Sequence, residues 1–142
     1  MNRLFFTLLL TGLFTNATAG DHPAEKITKE KILRVAVDDI GIISIGNDTI
    51  SSDDLARYIQ ERLFKSYMGT GRMHSKIKLV RLNKNVSETV VQVVLKEIRS
   101  GQNRALTELC IQKYKDRYEN LDPRRQQKLK KIFPVLFQAK FQ

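Results

Sequence analysis

Residues 32–63 read ILRVAVDDIGIISIGNDTISSDDLARYIQERL, from Ile32 to Leu63, and this stretch decides the fold. Leu33, Val35 and Val37 alternate with Arg34, Ala36 and Asp38, the period-two pattern of a strand with one face in a core. Asp39 to Gly41 supplies turn chemistry before Ile43 and Ile45 resume the alternation, so the two runs predict a hairpin. A second turn, Gly46-Asn47-Asp48, leads through Ile50 to Ser51 and Ser52. Serine hydroxyls there can accept from the free N–H groups of a helix start, and Asp53 and Asp54 suit the positive end of its dipole. Leu55, Ile59, Leu63 and Tyr67 then recur at every fourth position and give that helix one apolar stripe.

Downstream, GTGRMHS (residues 69–75) reads as a loop, and Lys76 to Leu82 as a third strand. Its apolar residues Ile77, Leu79, Val80 and Leu82 cover parts of both faces, as in a central strand. Ser87 can cap a long helix running to about Asn120, with Val90, Val94, Ile98, Gly101, Ala105, Leu109 and Tyr118 near one face. Gly101 reads there as a tolerated weak point, about 1 kcal/mol worse than Ala. Asp122 caps a third helix with Pro123 at its first position, ending near Ile132. After Pro134, the alternation of Val135, Phe137, Ala139 and Phe141 predicts a closing strand. The expectation is an α+β fold, a small two-layer sandwich of about four strands and three helices.

Upstream, Arg3 precedes an apolar run from Leu4 to Phe14, and Ala17-Thr18-Ala19 offers small residues for cleavage. Residues 1–19 therefore read as a secretory signal peptide or a short membrane anchor; the run falls short of the roughly 20 apolar residues of a full span, which favours cleavage. Residues 20–30, with His22 and Pro23, read as a polar tether, and 31–142 as one domain. The chain carries 25 Lys and Arg against 15 Asp and Glu; loss of Arg3 with the signal would leave a net charge near +9. A basic exported domain calls for anionic neighbours such as peptidoglycan, the membrane surface or an acidic partner, and not for nucleic acid. A single cysteine, Cys110, excludes an intramolecular disulfide framework.

Catalytic chemistry finds little to work with. Asp38-Asp39 and Asp53-Asp54 sit at a turn and a helix start, where carboxylates have local structural work. His22 and His74 lack a ligand cluster and read as solvated, and Cys110 reads as a buried small hydrophobe on the long helix. No phosphate loop or nucleotide fingerprint is present, so no enzyme activity, cofactor or metal is expected. Two interaction surfaces remain. Arg124, Arg125, Lys128, Lys130 and Lys131 crowd the third helix, as a solvated face or a contact for an anionic surface. Val135, Phe137, Ala139 and Phe141 would offer a sheet edge to a partner strand if the closing strand lies outermost.

The order of signals in Ile32–Leu63 resembles the periplasmic domain of the ExbD/TolR family, components of proton-driven complexes of the bacterial inner membrane. The likeness extends to about Phe141 through Tyr118, Leu121, Asp122, Gln126 and Gln127 and then Ile132-Phe133-Pro134. It implies a periplasmic homodimer working beside an ExbB/TolQ-like channel protein and a TonB/TolA-like force transmitter in envelope transport. The sequence departs from the family pattern in one respect: no Asp or Glu precedes Asp21, so the family's proton-linked acidic residue has no counterpart in residues 1–20. The alternative function is a soluble periplasmic binding module for the cell wall or a partner protein, detached from any motor.

Overall fold

The computed structural model describes residues 31–142; the expected signal or anchor (1–19), the tether (20–30) and His22 lie outside them. Within that span, four strands form one mixed sheet whose apolar face shares a core with residues of three α-helices, an α+β fold. The sheet order is β3-β2-β1-β4, with β1 (Ile32–Val37), β2 (Ile43–Ile45), β3 (Asp48–Ile50) and β4 (Lys76–Arg81). The β1-β2 and β2-β3 pairs are antiparallel, and β4 lies parallel to β1.

The turn after β1 is organised by Asp38, whose Oδ1 accepts from the Ile40 N–H at 3.1 Å and the Ile42 N–H at 2.7 Å, an Asx arrangement. Gly46 and Asn47 join β2 to β3, with Gly46 at φ 62°, the left-handed conformation a two-residue hairpin loop favours. Alternation sorts the faces: Leu33, Val35, Val37, Ile43, Ile45 and Ile77 point into the core, while Arg34 and Lys78 face solvent.

Helix α1 (Ser52–Thr70) starts on Ser51, whose side chain accepts from the Asp54 N–H at 3.2 Å. Its stripe of Leu55, Ile59 and Leu63 is fully buried, and Tyr67 meets Phe133 edge-on at 5.2 Å. Helix α2 (Glu88–Tyr114) starts on Ser87 and passes unbroken through Gly101. There it presses on α1: a Cβ at Gly101 would lie 2.6 Å from Ile59 Cβ and 2.7 Å from the Ala56 carbonyl oxygen. The glycine is a crossing point rather than a weak point. Helix α3 (Pro123–Ile132) follows the Asp122 cap, whose carboxylate accepts from the Arg125 N–H at 3.0 Å, and buries Leu129.

Three expectations are corrected. First, α2 ends at Tyr114, not near Asn120, because Lys115 turns left-handed (φ 59°) and Asp116 accepts from the Arg117 N–H and Asn120 Nδ2, each at 2.7 Å. Tyr118–Asn120 form a 3₁₀ turn, so Tyr118 reaches the core by another route. Second, β4 is an edge strand, not a central one. Third, Val135–Phe141 is not a strand. Proline fixes φ at Pro134 and opens a 3₁₀ turn to Phe137, and Phe133, Val135 and Leu136 all enter the core, which alternation forbids. The fourth strand is Asp48–Ile50 instead.

The tail nevertheless lies along the free edge of β4. The Gln138 side-chain amide takes both groups of Ile77, its Oε1 accepting from the N–H at 2.8 Å and its Nε2 donating to the carbonyl at 2.7 Å. The Phe141 carbonyl then accepts from the Leu79 N–H at 2.6 Å. Gln102, buried on α2, holds this tail by donating to the carbonyls of Val135 (2.6 Å) and Gln138 (3.2 Å). The buried Gln102 amide nitrogen is thus paired, as its desolvation requires.

Candidate functional site

The expected partner strand does not exist as a surface. Val135 and Phe141 are buried, Phe137 is half-buried and Ala139 is exposed, so the four residues share no face. Strand addition at this edge meets the tail already in place.

The basic surface is where the charges gather. Residues 113–142 hold nine Lys and Arg against three acids, a net +6 out of the chain's +10. Helix α3 explains the arrangement: Leu129 turns inward and the cations radiate outward. Arg125 is engaged, its Nε 3.1 Å from Asp122 and its guanidinium 5.6 Å from the Tyr114 ring centre. Lys130 lies 5.9 Å from the Phe137 ring, and Lys113, on the last turn of α2, lies 6.0 Å from both Tyr114 and Phe133. Arg124, Lys128 and Lys131 are exposed and have no carboxylate partner among the described residues. Tyr114, Asp122, Arg124, Arg125 and Lys128 line a shallow cleft of about 510 Å³. Its cations and aromatic shelf suit a polyanion.

The acidic residues are spread over separate tasks. Asp38 holds its turn, and Asp54 accepts from Ser51 Oγ at 2.9 Å and pairs with Arg57 at 2.7 Å, which lowers its pKa. Asp48, Tyr58 and Arg62 form a cluster that ties β3 to α1: Tyr58 donates to Asp48, and Arg62 donates to Asp48 at 2.8 Å and to the Tyr58 oxygen at 2.9 Å. These bonds hold the Asp48 carboxyl below its usual range, while burial and the carboxylate raise Tyr58. Nothing in the sequence spacing announced this cluster, since its members come from a hairpin and a helix face. A broad trough of about 1080 Å³ runs along α2 past Lys96, Ser100, Asn103, Thr107 and Glu108, where Glu108 accepts from Gln60 Nε2 of α1 at 2.8 Å.

Two single residues stand apart. His74 is half-buried rather than solvated; its Nδ1 is shielded without a hydrogen-bond partner, and burial, then Lys31 and Arg62, hold its pKa down to about 4. Cys110 is fully buried, and burial, then Glu119, push its thiol up. Among the described residues, no three His, Cys, Asp or Glu are placed to hold a metal ion, and no helix is long and apolar enough to cross a membrane.

No protein-family model matches this chain, and no curated protein matches it.

Proposed function

We propose that this chain is a non-catalytic periplasmic component of a proton-driven envelope transport complex of the TonB-ExbB-ExbD or Tol-Pal type. The single observation that carries this reading is that Ile32–Leu63, the stretch bearing the resemblance, folds as a hairpin leading through an Asn turn into a serine-capped helix. The compact sheet-and-helix layer would act by contact, as a homodimer, beside a channel protein of the ExbB/TolQ kind and a TonB/TolA-like transmitter. The test is membrane fractionation and crosslinking in the native host. A membrane-bound chain crosslinked to a channel protein supports the complex; a mature chain beginning at Gly20 and free of such a partner sinks it.

A second reading is favoured by the unpaired cations of α3: a periplasmic binding module gripping an anionic polymer or partner through Arg124, Lys128 and Lys131. Co-sedimentation with isolated cell wall separates the two. Binding that falls with salt and disappears in the triple Arg124→Glu, Lys128→Glu, Lys131→Glu variant supports the module, and binding indifferent to both removes it.

A further inference from the structure

Beyond Leu79 the tail no longer pairs with β4, and the sheet edge, α2 and the tail enclose a second cleft of about 500 Å³. Its floor is apolar, made by Leu79, Val91, Leu95 and Phe141. Val91 and Phe141 are buried, but Leu79 and Leu95 are only partly covered, so apolar surface is left for a ligand to complete. Its mouth carries Arg81, Arg99 and Lys140; the acids beside them are Glu88, already paired with Arg81 at 2.9 Å, and the terminal carboxylate of Gln142. Arg99 and Lys140 have no carboxylate partner among the described residues. One backbone donor also faces this way. The Leu82 N–H donates to Val37 on β1, so in a parallel ladder the odd-numbered amides of β4 point outward; Ile77 and Leu79 are taken, and Arg81 is next.

We propose that this cleft binds an amphipathic monocarboxylate with a medium-length acyl chain. The chain lies on Leu79, Val91, Leu95 and Phe141, and the carboxylate meets Arg99, Lys140 and the Arg81 amide. Its volume falls in the range of small-molecule sites, which are apolar-lined with a few convergent polar groups. Two free cations at the mouth select an anionic head over a neutral one. This site stands whether or not the chain works beside a proton channel.

The test is a methyl NMR titration of the full-length protein with decanoate, octanoate and decanol, all below their aggregation limits. The expected result is saturable shifts confined to Leu79, Val91 and Leu95, with affinity rising up to about fourfold for each added methylene. Arg99→Gln and Lys140→Gln alter exposed side chains, so the fold survives; together they should weaken decanoate roughly tenfold and leave decanol unchanged. Absence of saturation, shifts centred elsewhere, or equal decanoate affinity in the double variant would each overturn the proposal.

Discussion

Replacing Gly101 with Ala should destabilise this protein, although the same change in an exposed helix would stabilise it. Alanine improves helix propensity by about 1 kcal/mol. Against that, the new methyl would sit 2.6 Å from Ile59 Cβ, 2.8 Å from Ile59 Cγ2 and 2.7 Å from the Ala56 carbonyl oxygen. Overpacking of this sort costs about 1–3 kcal/mol, and the upper half applies here, because a backbone oxygen and a Cβ have no rotamer to escape into. The net loss is about 1–2 kcal/mol, which for a domain of this size lowers Tm by roughly 4–8 °C. Urea melts followed by circular dichroism should show a lower midpoint at unchanged slope. Gly69 provides the control. It lies in the last turn of α1, and a methyl there would have nothing within 4 Å, so Gly69→Ala should hold or raise Tm. A Gly101→Ala protein that melts at or above the wild type, as Gly69→Ala does, would refute the close crossing of α1 and α2.

Other outcomes follow from the tail, the histidine and the thiol. Gln138→Ala should speed hydrogen exchange at the Ile77 amide far more than at Val35, and Gln102→Leu should cost about 1–3 kcal/mol by orphaning the carbonyls of Val135 and Gln138. The lowered pKa of His74 means the unfolded chain takes up that proton first as the solution is acidified. Stability should therefore fall as pH drops from about 6.5 to about 4, and His74→Gln should flatten that part of a stability–pH profile. Cys110 should resist thiol reagents in the native protein and react at the rate of unfolding in urea; rapid native labelling would contradict its burial.

The elements whose signals are local were readable in advance. Ser51, Ser87 and Asp122 cap the helices expected of them, because capping depends only on a side chain and the next three residues. The alternation of β1 and the stripe of α1 were equally plain, since each faces one core. What escaped reading depends on partners distant in sequence. Gly101 looks like a helix defect until Ile59 and Ala56 are placed against it. The tail's alternation of Val135, Phe137, Ala139 and Phe141 imitates a strand, yet Pro134 and the buried Leu136 rule one out, and a glutamine does the pairing. The basic residues of α3 were legible as a charged helix, but the aromatic rings beneath Arg125 and Lys130 come from neighbouring elements and carried no signal.

Gln138 gives the sheet margin a chemical lifetime. Its primary amide imitates a peptide unit, offering a donor and an acceptor to Ile77 at once. Hydrolysis of that amide to a carboxylate, a slow reaction of ageing protein, would keep the acceptor but remove the donor and set a negative charge against the Ile77 carbonyl. A change of one atom group would then free the Ile77 end of the β4 margin, while Gln102 and the Phe141 carbonyl still hold the tail, and open that stretch to edge-to-edge association. Old preparations of this protein should accordingly cluster before they unfold.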